Sequence, residues 1–234
     1  MKIALLSDVH ANIFALDAVL ADCEDEGVGH FIVAGDLVGY YYWPKLVVER
    51  LMQDTRVTCI RGNHEDILAE TLASACAADR YRQKYGSGYD VCLDSLSDGE
   101  LRWLLGLPSK AEIVIDGIHF SVHHGSPSST DEYIYPDAKS EILARCHDSC
   151  HYTVLGHTHY PFMQALNSSI LVNPGSVGQP RDCGGQACYA VINLANRSLR
   201  FKRIPYDVGP VIAAAQARDP ALEYLYKIMT RRAL

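Results

Sequence analysis

Metal-ligating side chains follow the apolar runs of this sequence at the points where the runs stop. The first run ends in "SDVH", the second in "GD" and the third in "GNH", while "VHHG" and "LGHTH" end two runs farther along. The residues delivered there are Asp8, His10, Asp36, Asn63, His64, His123, His124, His157 and His159. Carboxylate, amide and imidazole groups are the ligands of hard and borderline divalent metals. The pattern therefore predicts a metal site.

The number of these ligands indicates a dinuclear site. It exceeds what one tetrahedral ion needs, and a carboxylate can bridge two ions. Two divalent ions roughly 3.5 to 4 Å apart can hold a phosphate, lower the pKa of a bound water and stabilise in-line displacement. Because no cysteine occupies these positions, the predicted cofactors are two divalent metal ions drawn from manganese, iron, zinc and nickel.

The first half of the chain alternates strands and helices. "KIALLSD", "HFIVAGD" and "RVTCIRG" are apolar runs typical of buried strands, with helices predicted after Asn12, at Pro44 and near Glu65. This order favours a largely parallel sheet, whose strands end at one edge. Alternation along extended chain is also expected to point Asp8 and His10 the same way, and His157 and His159 likewise.

The second half is rich in short strands. Asp116-Gly117 gives a two-residue hairpin signal, and antiparallel pairing is expected beyond it. Residues 71 to 108 are expected to be helical and to form either a cap or one side of the molecule, and residues 208 to 234 are expected to form a helical C-terminal tail. With 234 residues and 48% hydrophobic content, residues 1 to 234 are expected to form a single α/β domain.

Composition restricts the setting and the partners. Eight dispersed cysteines and an opening without a signal-peptide pattern predict a cytoplasmic protein with free thiols. No apolar run reaches the roughly 18 to 20 residues that a membrane span needs. A net charge of -7 argues against nonspecific nucleic-acid binding. An anionic partner, such as a small phosphorylated substrate, must therefore be attracted by a local positive charge; the oligomeric state stays open.

The order of motifs resembles the calcineurin-like metallophosphoesterase superfamily. "GDLVGY", "IRGNHE", "HHGSP", "LGHTH" and "NPGSVGQPRD" look closest to its small bacterial and archaeal, phosphodiesterase-like branch, and the likeness extends from about Ile3 to Asp182. The resemblance implies a four-layer α/β/β/α sandwich with two mixed β-sheets and a dinuclear metal site at the strand ends.

The resemblance also implies a role for each residue. One metal would be held by Asp8, His10 and His159, the other by Asn63, His124 and His157, with Asp36 as the bridge. His64 would act as general acid or stabilise the transferring phosphoryl group, and the nucleophile would be a metal-bound hydroxide. Of the pair before Gly125, His124 fits the family better, and His123 would pack on the other side of its strand.

Three features depart from the wider superfamily or stay open. Protein serine/threonine phosphatases carry an orienting aspartate and a phosphate-binding arginine where this chain has Gly39 and Tyr40. The aromatic run Tyr40 to Trp43 would either stack on a substrate ring or pack on a neighbouring helix. Arg181 is expected to form a structural ion pair, with substrate phosphate as the alternative.

The sequence thus predicts a metallophosphoesterase that hydrolyses phosphodiesters or small phosphomonoesters. Two alternatives remain at this point. One is a catalytically weak metal-binding scaffold or regulatory module with the same fold, and the other, less favoured, is a serine/threonine protein phosphatase.

Overall fold

The computed structural model describes residues 1–147, 150–167 and 169–232. The last two residues of the predicted C-terminal tail lie outside these ranges. The strands are β1 (Lys2–Leu6), β2 (Val28–Ala34), β3 (Val57–Ile60), β4 (Lys110–Ile115), β5 (Ile118–His123), β6 (Tyr152–Val154), β7 (Phe162–Leu166), β8 (Ser169–Asn173), β9 (Gln186–Asn193) and β10 (Ser198–Pro205). The helices are α1 (Ile13–Glu26), α2 (Pro44–Gln53), α3 (Asn63–Ala73), α4 (Ala75–Tyr85), α5 (Gly88–Ser95), α6 (Asp98–Leu105), α7 (Ser140–Cys146), α8 (Gly209–Arg218) and α9 (Tyr224–Lys227).

The strands form two mixed sheets, as the sequence predicted. The first has the order β10-β9-β1-β2-β3, in which β1, β2 and β3 are parallel and β9 runs antiparallel to β1. The second has the order β4-β5-β6-β8-β7. The expectation of antiparallel pairing in the second half was wrong for β6, which lies parallel to both β5 and β8. Such a parallel pair requires a long connection, and α7 lies in the one between β5 and β6.

Alternate residues of β1 show how the layers form. Ile3 and Leu5 are fully buried between the two sheets, where they belong to the same apolar cluster as Phe120 of β5. Ala4 and Leu6 point to the opposite face, towards the cluster that includes residues of α1 and α2. A separate cluster joins α7 to the second sheet. The result is the predicted order of helices, sheet, sheet and helix, because strands buried on both faces need apolar cover on each side.

Local sequence signals fix the ends of several elements. The Asn12 side chain accepts a hydrogen bond from Ala15 N at 3.2 Å and caps α1, which ends at a left-handed Gly27. Asp116 and Gly117 both have positive φ and form the two-residue turn between β4 and β5. No helix in the described part of the chain is long and apolar enough to cross a membrane.

Candidate metal centre

Five of the predicted ligands, Asp8, His10, Asp36, His157 and His159, have left-handed backbone just beyond the strands. β1 ends at Leu6 and β6 at Val154, whereas the φ angles are 55° at Asp8, 49° at His10, 66° at His157 and 65° at His159. The prediction that strand alternation aligns Asp8 with His10 and His157 with His159 was therefore wrong, because these residues lie in turns and not in strands. Left-handed backbone is costly for residues other than glycine, and it is held here by bonds such as Asp8 N–H to the Gly35 carbonyl at 3.1 Å.

One group of candidates comes from β1 and from the turn after β6. The Nε2 atoms of His10 and His159 lie 3.1 Å apart, and the His159 Nε2 lies 3.5 Å from an Asp8 carboxylate oxygen. All three side chains are almost completely buried. Their ligand atoms lie within 4.8 Å of one another, close enough for one ion to reach all three.

A second group, which includes Asp36, lies beside the first. The His124 Nε2 is 3.1 Å from Asp36 Oδ2 and 3.1 Å from Asn63 Oδ1. Asp36, His124 and His157 place ligand atoms within 4.8 Å of one another. Because Asp36 Oδ2 is also 3.7 Å from the His10 Nε2, this carboxylate connects the two groups.

Backbone carbonyls set the orientation of three imidazoles. The Nδ1 atoms of His10, His124 and His159 face the carbonyl oxygens of Val38, Ala34 and Gln179 at 3.1, 2.7 and 2.7 Å. A carbonyl can only accept, so each Nδ1 carries a proton and each Nε2 points into the cluster, where its lone pair can serve a cation when that nitrogen carries no proton. This arrangement is the usual second shell of metal-bound histidine.

The cluster consequently fits a cation. Asp8 Oδ2 and His157 Nε2 are buried and have no hydrogen-bond partner among the described residues. Burial and the neighbouring Asp36 carboxylate raise the pKa of Asp8 to about 7. Burial opposes a charge on His124, but Asp36 outweighs it and raises the pKa of this ring to about 10. Asp36 therefore requires positive charge beside it, which either a proton on His124 or a metal ion can supply.

His64 is held beside this cluster by other contacts. Its backbone N–H donates to Asp36 Oδ1 at 2.9 Å, and its ring lies 4.7 Å from the ring of Tyr40 between centroids. Burial lowers the pKa of His64 to about 4, so the ring is neutral near pH 7. The Nδ1 atom bonds to the Tyr89 hydroxyl at 2.6 Å. Sequence reasoning missed Tyr89, which belongs to none of the motifs.

The cluster opens into a cavity of about 180 Å³. Its lining residues are Asp36, Tyr40, Asn63, His64, Lys84, Tyr85, Tyr133, His157, His159 and Arg181. Lys84 and Tyr85 come from the end of α4, inside the segment predicted to form a helical cap or one side of the molecule. A larger groove of about 700 Å³ runs between α1 and α2, but it contains none of the predicted ligands.

Arg181 does not form the expected structural ion pair. In the described part of the chain no carboxylate lies within 4 Å of the Arg181 guanidinium. The neighbouring residue Asp182 forms an ion pair, and its partner is Arg203. Two residues of the aromatic run have the packing role considered for it, and stacking of the run on a substrate ring stays a prediction. Tyr40 lines the cavity, whereas Tyr41 and Tyr42 pack with α8 and α9.

Buried polar residues brace the turns that hold the cluster. The Glu65 carboxylate accepts from the backbone N–H groups of Asp36, Leu37, Val38 and Gly62 at 2.7 to 3.2 Å. Asn173 donates to the Gly156 carbonyl at 2.6 Å, and Ser176 donates to the Asp8 carbonyl at 2.7 Å. His123 lies outside the cluster and bonds to Ser121 at 2.8 Å. The structure thus brings His124, the favoured residue of that pair, to the site.

Fold and site together define a two-sheet α/β protein with a candidate cation site at its strand ends. Residues 1–197 match the calcineurin-like phosphoesterase superfamily domain. The chain therefore belongs to the calcineurin-like phosphoesterase superfamily, as its motifs indicated, and this family is one of phosphoric ester hydrolases.

Similar proteins extend over almost the whole chain. An uncharacterised protein of Methanocaldococcus jannaschii is 29% identical, with 88% of each chain covered. A metallophosphoesterase from Sphaerobacter thermophilus is 28% identical in sequence, and its crystal structure matches with a TM-score of 0.78 and 98% of each chain covered. A hypothetical protein from Pyrococcus horikoshii shares the fold, with 20% identity, a TM-score of 0.82 and 99% coverage of both chains.

Proposed function

We propose that this protein is a metal-dependent phosphoesterase that hydrolyses phosphodiesters or small phosphomonoesters in the cytoplasm. The observation that carries the proposal is the convergence of buried lone pairs at one point. The Nε2 atoms of His10 and His159 are 3.1 Å apart, and that of His124 is 3.1 Å from the Asp36 carboxylate. The buried lone pairs of His10 and His159 repel unless a cation lies between them, and the Asp36 carboxylate needs positive charge from a proton on His124 or from a metal ion.

The geometry supports the following division of ligands. Asp8, His10 and His159 would hold one divalent ion, Asn63, His124 and His157 the second, and Asp36 would contact both. Asn63 contributes a neutral oxygen, which leaves more positive charge for an anionic substrate. When bound, the two ions would supply positive charge to the phosphoryl oxygens and make water more acidic.

The residues of the chain have their own tasks at this site. His64 faces the cavity as a neutral ring and donates a hydrogen bond to an oxygen of the substrate. Arg181 and Lys84 bring positive charge to a cavity that belongs to a protein of net charge -7. The cavity volume of about 180 Å³ suits a phosphoryl group with a small leaving group, since ligand pockets for larger molecules typically measure roughly 300 to 1,000 Å³.

Asp36→Asn tests the proposal because this carboxylate serves both groups. The variant is expected to lose most of its activity and part of its bound metal. Measurements would be elemental analysis and turnover of aryl phosphate monoesters and diesters with manganese, iron, zinc or nickel. Asp17→Asn, which changes a carboxylate paired with Arg50 on the surface, is the matched control and should behave as wild type.

Two results would contradict the proposal. If Asp36→Asn kept near-wild-type turnover with full sensitivity to chelators, Asp36 would not be the ligand that contacts both ions. Wild-type protein that hydrolyses none of these esters with any of the metals would instead favour the metal-binding scaffold.

A further inference from the structure

Among the described residues no carboxylate lies within 4 Å of a His64 ring nitrogen, and Gly39 occupies the position at which protein serine/threonine phosphatases carry an orienting aspartate. Gly39 has φ of 86°, and a Cβ atom built on it would lie 2.1 Å from His64 Nδ1. Even alanine therefore collides with the ring at this position. The glycine leaves the Nδ1 side of His64 accessible to a group from elsewhere in the fold.

That group is the Tyr89 hydroxyl, 2.6 Å from His64 Nδ1. Tyr89 stands in the first turn of α5 and is 2% exposed, within the core between the first sheet and its helices. Its ring is nearly parallel to that of His64, at 25° and 5.9 Å between centroids. Gly88, one residue earlier, allows α5 to approach the backbone of Tyr40 and Tyr41, since a Cβ there would meet both at 3.1 Å.

The direction of this hydrogen bond follows from the surroundings of the tyrosine. His64 Nδ1 is the one hydrogen-bond partner that the Tyr89 hydroxyl has within the described ranges of the chain. If the ring donated to the tyrosine, the phenolic proton would be buried without an acceptor, which is costly. The hydroxyl therefore donates and Nδ1 accepts.

We propose that Tyr89 is the positioning residue of His64 and holds it as the tautomer whose proton sits on Nε2. His64 Nδ1 is occupied by the tyrosine, so Nε2 is the nitrogen left for the cavity that this residue lines. His64 then presents an N–H group to the substrate. A carboxylate partner would stabilise a positive ring, whereas a neutral tyrosine adds no such stabilisation, and the neutral ring donates a hydrogen bond to phosphoryl or leaving-group oxygen.

The tautomer can be measured without any catalysis. Two-bond ¹⁵N–¹H spectra of metal-free protein distinguish protonated from unprotonated ring nitrogens, and His64→Gln identifies the signals of His64. Wild type is expected to show a protonated Nε2 and an unprotonated Nδ1. In Tyr89→Phe both resonances should move towards a mixture of tautomers. Nδ1-protonated wild type, or spectra that Tyr89→Phe leaves unchanged, would overturn the proposal.

Tyr81→Phe is the matched control. Tyr81 touches the Tyr89 ring, with 6.3 Å between centroids, but its hydroxyl donates to Glu70 at the surface. Removal of this hydroxyl should leave the His64 spectrum and the kinetics unchanged. A shift equal to that of Tyr89→Phe would mean that the spectra report general packing instead of the Tyr89 hydrogen bond, and would count against the proposal.

Kinetics supply a second readout, which rests on the proposed function. Tyr89→Phe should lower kcat roughly 10- to 100-fold with little change in KM, the range seen when an outer partner of a functional histidine is removed. It should cause no further loss in the His64→Gln background. Independent losses that multiply would show that Tyr89 acts other than through His64. If wild type hydrolyses no ester, the proposed function fails and the tautomer measurement alone decides this proposal.

Discussion

Arg181 is one of two cationic residues that line the cavity, the other being Lys84, and neither has a carboxylate partner within 4 Å in the described chain. We expect Arg181→Gln to raise KM for phosphate esters roughly 10-fold or more, since hydrogen bonds to charged groups contribute about 1.5 to 3 kcal/mol. The change in kcat should be smaller. Steady-state kinetics and inhibition by inorganic phosphate would measure both effects.

Arg197→Gln is the control for this substitution. Arg197 is exposed in the turn between β9 and β10, at the end of the first sheet opposite to the strand ends of the site. Arg197→Gln removes the same charge from the protein as Arg181→Gln but should leave KM unchanged. Equal KM values for Arg181→Gln and wild type would show that Arg181 does not contact the phosphate.

At the scale of single residues, the sequence predicted the groups that follow strands better than those on helices. All eight predicted site residues lie in one buried region because each follows the end of a strand, and the strand ends of the two sheets meet there. Tyr89 could not be found in this way, since it lies 25 positions from His64 in a helix whose approach depends on tertiary packing. The need for glycine at position 39 could not be predicted either, because it follows from the proximity of the His64 ring in the folded protein.

At the scale of elements, the first three strands and the helices between them followed from periodicity. The partners of β6 did not, because β6 has only three residues, all buried, and an apolar run of this length does not specify the direction of its neighbours. β7 was missed because four of its five residues are exposed. Strand pairing in the second sheet is therefore decided by connections and packing instead of by local pattern.

The C-terminal segment contacts the helices that carry part of the cavity wall. Asp219, just after α8, accepts from the Ser87 backbone N–H at 2.9 Å and from the hydroxyls of Ser87 and Tyr42, each at 2.8 Å. Ser87 immediately precedes α5, which carries Tyr89. We expect Asp219→Ala to lower the free energy of unfolding by about 2 kcal/mol, because three partly buried donors lose their acceptor. A thermal melt would show a Tm lower by roughly 4 to 8 °C.

Glu223→Ala separates this effect from a general loss of acidic charge. Glu223 is 59% exposed and pairs with Lys227 within one helical turn, an arrangement that contributes little to stability. Its Tm should stay within about 1 °C of wild type. If Asp219→Ala melts at the same temperature as this control, the C-terminal segment does not stabilise the helices around the cavity.

For the whole molecule, the candidate site depends on both halves of the chain. Asp8, His10, Asp36 and Asn63 follow strands of the first sheet, whereas His124 and the pair His157 and His159 follow strands of the second. The apolar core between the sheets holds these two sets together. When no cation is bound, the repulsion among these buried acceptors therefore lowers the stability of the folded protein.

Metal binding is consequently expected to stabilise the entire fold. Bound ions favour the native state by RT ln(1 + [L]/Kd), about 2.7 kcal/mol at one hundred times Kd. For a chain of 234 residues this corresponds to a Tm increase of roughly 5 to 11 °C. Calorimetry of chelator-treated protein with added manganese or zinc would measure it, with metal-free buffer as reference. Asp36→Asn should show a clearly smaller increase, since it lacks the carboxylate common to both groups. An equal increase in this variant would place the stabilising ions elsewhere on the protein.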